Sequence, residues 1–473
     1  MAHKKRTWIL NSTILTQDDR RRALEGHLLI EDGRIAEITT KRPSITARAA
    51  KEIEVVDALG LTVLPGFVQA HIHLCQTLFR NQADDLELLD WLAKRIWVME
   101  AAHTEETLNT SALLGIHELI SSGTTCILDM GTVRHTGAIL DAVKSSGLRA
   151  SVGKCLMDHP KTTPDGLREP TQKALDEASS LFKQWHGREQ DRIRVSYAPR
   201  FVISCTEKLL TDVARASRDQ GALIHTHASE NLKEIQMVKE LVGCENIEYL
   251  HQLGMTSPNL VLAHCIWLKP NEKEILKKSG THVVHCPSSN MKLASGFAHV
   301  PDLRARGINV ALGADGAPCN NNLNMFQEMR LAALIHKPSN GPRSMRAQEV
   351  LDMATRDGAK ALGWFDDIGS IEVGKKADII ALDLNCPENF VPAPDRMKSG
   401  RGTAKTGRGV KGLLNSEAFA SSIVYSSQPS HLRWSRIDGK TVFDRGRVKT
   451  IPLAPLMERV HRAQMAIARK LGR

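Results

Sequence analysis

Leu64-Pro65-Gly66-Phe67-Val68-Gln69-Ala70-His71-Ile72-His73 decides how the rest of the chain is read. The Pro-Gly pair punctuates the exit from one segment, an apolar run follows, and two imidazoles stand two residues apart at its end. In a strand, residues i and i+2 point to the same face, so His71 and His73 offer half of a metal site from one strand terminus. Further along, His227-Ala228-Ser229-Glu230, Ala263-His264-Cys265 and Gly313-Ala314-Asp315-Gly316 also place chemistry-bearing side chains at the ends of short apolar runs.

Between residues 66 and 363, such runs alternate with longer helical patterns. The alternation predicts an α/β fold, a (β/α)8 TIM-like barrel, with strands at 67–70, 124–129, 149–156, 193–198, 222–226, 260–263, 281–284 and 309–313. Helices are expected at 105–120, 171–185, 207–218, 323–335 and 347–362. Most of the candidate functional residues then fall at the C-terminal ends of strands, where barrels of this kind keep their active sites.

Outside the barrel, short β-rich pieces occur at 7–10, 27–30 and 35–38, the last two flanking the turn Glu31-Asp32-Gly33-Arg34, and again at 53–55 and 61–64. Similar pieces return at 377–382, 422–424 and in the hairpin-like 436–442. Residues 1–65 and 364–452 are therefore expected to build one small composite β-sandwich domain from both chain ends. Within the second part, 397–412 is rich in Gly, Lys and Arg and has no acid, the pattern of an exposed loop. Residues 453–473 are expected to hold a C-terminal helix whose apolar positions include Leu456, Val460, Met465 and Leu471, suited to core or subunit packing.

A chain of 473 residues suits a domain of roughly 250 to 350 residues with a smaller one attached. With 42% hydrophobic and 25% charged residues, its composition is that of a globular protein. The formal charge of +10 is spread along the chain and aromatics make up only 4%, so the charge reads as solvated surface and no nucleic-acid partner is expected. No stretch is long and apolar enough to span a membrane, and the basic start MAHKKRTWILN lacks the apolar core of a signal peptide, which predicts a cytoplasmic protein. Nine scattered cysteines without a paired framework fit reduced thiols.

Three imidazoles and one carboxylate form a suitable shell for a divalent metal that keeps a position for water, so His71, His73, His227 and Asp315 are the expected ligands. Zinc leads for such donors, with iron and manganese also suited. His264 is placed to hold the water and pass protons, and Glu230 is expected to give a proton to a ring nitrogen of the substrate, which makes the adjacent carbon electrophilic. Asp315 is expected to assist departure of the leaving group along with His264. His285, just past the seventh strand, is a candidate to face the pocket. Lys154, a conceivable carbamylated bridge, and Ser204 and Cys205, conceivable nucleophiles, are weaker candidates, the last two having no evident base.

These residues resemble the amidohydrolase superfamily, in its cytosine-deaminase-like branch of adenosyl deaminases, guanine deaminases and triazine hydrolases. The resemblance runs through Leu64 to His73, Ser122-Gly123-Thr124-Thr125, His227 to Glu230, Ala263-His264-Cys265, Cys286-Pro287-Ser288-Ser289-Asn290 and Gly369 through Asp378. It implies a metal-dependent barrel with a composite β domain, usually one zinc or iron, a homodimer or larger homo-oligomer, and the same ligand set and Glu230/His264 pair. Asp315-Gly316 with Asn320-Asn321 and Met325 to Arg330 is most similar to deaminases of methylthioadenosine, adenosylhomocysteine and deoxyadenosine, and Trp91 and Glu100 match residues that line the nucleoside end there. Pro199-Arg200-Phe201 departs from them and resembles guanine deaminase, which makes Arg200 a candidate reader of a ring carbonyl or ring acceptors.

Together these features predict a hydrolase of C–N bonds in cyclic amidines: a metal-dependent deaminase that uses activated water on an adenosyl compound such as 5'-deoxyadenosine or methylthioadenosine. The alternatives are a guanine, pterin or s-triazine aminohydrolase or chlorohydrolase, and a barrel that has lost catalysis and serves in assembly.

Overall fold

The computed structural model describes residues 6–46, 52–389, 391 and 414–472. Phe67–His73 is buried at every position, as a strand covered on both faces must be, and its apolar residues Phe67, Val68, Ala70 and Ile72 fall on both faces. It pairs in parallel with Thr124–Thr132, and the series continues through Arg149–Leu156, Ile193–Pro199, Ile224–Ala228, Leu260–His264, His282–His285 and Val310–Leu312. After two intervening residues Asp315–Gly316 pairs with Ile72 and His73, so the curled parallel sheet comes back to the strand on which it began. The closing strand is thus in two pieces, and Asp315 is seated beside the His-Ile-His strand by backbone pairing.

The fifth strand starts two residues later than the pattern 222–226 suggested, which brings His227 into the strand itself. The expected helix 347–362 is two helices, Ala347–Met353 and Arg356–Ala361. The break has a packing cause. The Ala354 carbonyl accepts a hydrogen bond from Val68 N at 2.8 Å, and Gly358 lies so close to Val68 that a Cβ there would stand 2.8 Å from the valine Cβ. Other helices have local signals: Glu105–Ser121 begins at a Thr104/Thr107 capping box, and Glu207–Gln220 runs from a Thr206 cap to Gly221 in the left-handed region.

Strands from both ends of the chain form a separate nine-stranded mixed sheet, joined where Ile379–Asp383 pairs antiparallel with Leu61–Pro65. Its core includes Ile9, Ile14, Leu28, Ile30, Val63, Ile379 and Trp434. Residues 422–424, expected as a strand, lie instead in the helix Ser416–Tyr425. Phe419, Ala420, Ile423 and Val424 are its buried apolar residues, one helical turn apart in pairs, and this spacing outweighs the local β-branched character. Arg149, at the start of the third barrel strand, ties the two sheets together: it is fully buried and bonds Asp378 at 2.7 and 3.1 Å and Asp438 at 2.5 Å.

The C-terminal helix Leu453–Lys470 buries Leu456, Val460, Ala463 and Ile467. Arg459 anchors it to Asn109 at 2.8 Å on the helix Glu105–Ser121. Met465, expected among the packed positions, is 56% exposed, because the buried stripe passes through Ala463 and Ile467. The basic 397–412 segment lies outside the described residues. All nine cysteines are free thiols, and among the described residues no helix is long and apolar enough to cross a membrane.

Candidate active site

The strand ends gather His71, His73, His227 and Asp315 into one cluster. His71 Nε2 and His73 Nε2 each lie 3.3 Å from Asp315 Oδ1, and His73 Nε2 is 3.2 Å from His227 Nε2. Each of two overlapping sets, His71/His73/His227 and His71/His264/Asp315, has ligand atoms within 4.8 Å of one another. Burial holds His71, His73 and His227 below the usual histidine range, so they are neutral and carry lone pairs into the cluster. Burial opposes ionisation of Asp315, yet its carboxyl is held well below the ordinary range and stands as a carboxylate. Lone pairs and a carboxylate packed this closely repel unless a cation lies among them, and a divalent metal fits this donor set.

Glu230 and His264 stand beside the cluster. His264 Nε2 is 3.4 Å from Glu230 Oε2 and 3.8 Å from Asp315 Oδ2, while its Nδ1 is 2.8 Å from Asn290 Oδ1. Burial pushes the Glu230 carboxyl up to about 7, partly offset by His264. For His264 burial acts downward, and the Glu230 and Asp315 carboxylates overcome it and raise the imidazole above its usual range. Ser295 Oγ donates to Glu230 Oε1 at 3.3 Å, and Ser289 Oγ to Asp315 Oδ2 at 2.6 Å. Left-handed backbone at His264 (φ 74°) and Asp315 (φ 63°) turns both residues sharply at their strand ends, a strain characteristic of functional positions.

A cavity opens over these groups. His73, His227, Glu230, His264 and Asp315 line its polar end, and Leu88, Trp91, Leu92, Phe201 and Leu293 supply apolar wall. Arg200 also lines it, with both terminal nitrogens on Glu100 at 2.6 and 3.1 Å. Glu100 sits behind the guanidinium, accepts as well from Gln76 Nε2 at 2.8 Å, and is not among the lining residues. His285 is fully buried, 5.4 Å in ring-centroid distance from His336, and does not line the cavity. Lys154 is ion-paired to Glu169 at 2.6 Å, so its amine is already engaged. Ser204 donates to the Phe201 carbonyl, and the Cys205 thiol, pushed up by burial, contacts the Leu156 carbonyl.

His225 was not singled out from the sequence. It lies on the strand Ile224–Ala228, and its Nε2 is 2.8 Å from His71 Nδ1. The signal was present, since His225-Thr226-His227 is a second His-x-His and period-2 geometry turns both rings to one face. Asn290 and Ser289 were legible only as parts of a motif, with no role attached.

Residues 62–422 match the amidohydrolase family. The chain is 37% identical over 457 residues to a 5'-deoxyadenosine deaminase of Methanosarcina mazei, covering 96% of each chain. It is 36% identical over 455 residues to a 5-methylthioadenosine/S-adenosylhomocysteine deaminase of Syntrophobacter fumaroxidans, again covering 96% of each. Among solved structures it is similar to an adenosine deaminase from Xanthomonas campestris with bound zinc, at 27% identity and a TM-score of 0.84 over 98% of both chains. The chain belongs to the amidohydrolase family.

Proposed function

We propose that this chain is a metal-dependent hydrolase of cyclic amidine C–N bonds that deaminates an adenosyl compound, with 5'-deoxyadenosine and methylthioadenosine as the leading substrates. The reading is carried by near-full-length identity to deaminases of such compounds, in a chain whose strand ends bring the neutral histidine cluster up against Glu230 and His264. His71, His73, His227 and Asp315 would hold one divalent ion, zinc foremost. Such an ion supplies Lewis-acid chemistry that brings the pKa of water from about 15.7 to about 7.

The chain's own residues do the rest. Glu230, whose buried carboxyl retains its proton up to about pH 7, donates it to a ring nitrogen and draws electrons from the adjacent amino-bearing carbon. His264, with Nδ1–H donated to Asn290, keeps Nε2 directed at Glu230 and Asp315, where it accepts a proton from the attacking water and returns it to the departing amine. Carbon–oxygen bond formation and carbon–nitrogen cleavage then convert the amino compound and water into the oxo compound and ammonia, and the second hydrogen of the water passes from the new hydroxyl to Glu230, restoring its carboxyl. Trp91, Leu92 and Phe201 provide an apolar wall for a flat ring and exclude other water.

Arg200 favours a second reading, a guanine or s-triazine aminohydrolase, since a guanidinium on the cavity wall suits ring carbonyls and acceptors. Its bidentate hold on Glu100 supports a wall-building role beside the adenosyl reading. Equal amounts of 5'-deoxyadenosine, methylthioadenosine, guanine and hydroxylated triazines, incubated with zinc-loaded protein and resolved by mass, decide between them. Conversion of the adenosyl compounds to their inosyl forms supports the first reading, and turnover confined to guanine or a triazine overturns it.

A cytoplasmic homodimer or larger homo-oligomer, free of nucleic acid, completes the proposal; nine free cysteines support a reducing compartment. Light scattering of the purified chain tests the assembly.

A further inference from the structure

We propose that His225 is a positioning residue for the metal centre, the hydrogen-bond acceptor that fixes the tautomer and orientation of His71. The inference rests on the metal centre proposed above and adds a residue to it. His71 turns Nε2 toward Asp315 at 3.3 Å, so the nitrogen left for a supporting contact is Nδ1, which lies 2.8 Å from His225 Nε2. With Nε2 committed to the ion, the ring hydrogen of His71 resides on Nδ1 and must be donated. His225 Nε2 is the partner in reach, so it accepts, and the hydrogen of His225 resides on its own Nδ1, which has no hydrogen-bond partner among the described residues.

The three histidines of the cluster are therefore supported in three different ways. His227 Nδ1 is 2.7 Å from the backbone carbonyl of Arg200, a fixed acceptor that no side-chain substitution removes. His73 Nδ1 has no hydrogen-bond partner among the described residues. Support of His71 alone depends on a replaceable side chain, brought by the non-adjacent strand Ile224–Ala228 into a fully buried site with the two rings at 85° and 4.9 Å between centroids. Partners of this kind orient a ligating ring and typically contribute about 10- to 100-fold in metal affinity.

The test measures zinc affinity of the metal-stripped full-length chain by competition with a chromogenic chelator, for wild type, His225→Gln, His225→Asn and His225→Leu. A glutamine oxygen reaches the place of the imidazole Nε2, whereas an asparagine stops at the place of Nδ1. The expected result is that His225→Gln stays within about threefold of wild type while His225→Asn and His225→Leu bind zinc about 10- to 100-fold more weakly. The glutamine and asparagine variants are both buried amides, so their comparison remains decisive if the leucine variant does not fold. Equal affinities for the glutamine and asparagine variants, or all variants at wild-type affinity, overturn the role of His225 and leave the metal centre standing. Absence of zinc binding by the wild-type chain overturns the metal centre itself and this inference with it.

Discussion

Glu230→Gln separates the chemical role of this carboxyl from its cost to the fold. The substitution keeps the side chain's length and an oxygen for the Ser295 hydroxyl, which lies 3.3 Å from Glu230 Oε1, but removes the transferable proton. Loss of a positioned general acid and base lowers kcat by about 10²- to 10⁴-fold, or about 3 to 5 kcal/mol in the barrier, with KM little changed. Stability moves the opposite way. Burial raises the carboxyl from its ordinary 4.5 to about 7, a gap worth about 3 kcal/mol. Because the folded value is the higher one, the contribution is complete below pH 4.5 and is lost as pH rises through about 7, where the fold must carry a buried charge. Glutamine never ionises. Urea unfolding of metal-stripped protein should therefore give similar stabilities near pH 4 and a variant more stable by up to about 3 kcal/mol near pH 8. Ammonia release from the zinc-loaded forms supplies the activity arm. Stability curves that stay parallel from pH 4 to 8, together with a kcat loss under tenfold, would refute the assignment of Glu230 as a buried proton carrier.

Arg149→Met should cost about 3 to 5 kcal/mol in urea unfolding, because it strands the buried Asp378 carboxylate that the guanidinium holds at 2.7 and 3.1 Å; a loss below 1 kcal/mol would show that water reaches that carboxylate. Gly131→Ala should cost more than about 2 kcal/mol, since Gly131 has φ 71° and an added Cβ would stand 1.7 Å from the Gly153 carbonyl oxygen; thermal unfolding checks it, and an unchanged midpoint contradicts the register shift between Asp129 and Thr132 in the strand Thr124–Thr132. Chelation should abolish turnover and destabilise the chain by about 4 kcal/mol relative to protein with free zinc at 1,000 times its dissociation constant, both reversed by added zinc. Full activity after exhaustive dialysis against chelator, with no residual metal by atomic emission, would remove the ion from the reaction.

The parallel sheet was legible because strands buried on both faces must be nearly all apolar. The runs from Leu64 to Ala70 and from Leu260 to Ala263 therefore stand out between helical patterns. The helix Ser416–Tyr425 is not legible locally because Ile423 and Val424 form a short β-branched run, and its burial depends on neighbours that local pattern does not reveal. The split of 347–362 was invisible for a similar reason, since it follows from Val68 taking the Ala354 carbonyl across the fold.

By itself, the sequence determined which residue types stood at strand ends, because strand periodicity and the placement of loops after parallel strands are local properties. That was enough to nominate His71, His73, His227, Glu230, His264 and Asp315. The tertiary structure alone decided their partners. Arg200 and Glu100, expected as separate contacts for substrate, close on each other across 100 residues, and His225 meets His71 across 154. A side chain's spacing in the chain sets the direction in which it leaves its own strand. What it meets there depends on the curl of the sheet, which brings distant strand ends within hydrogen-bond reach and is a property of the whole fold.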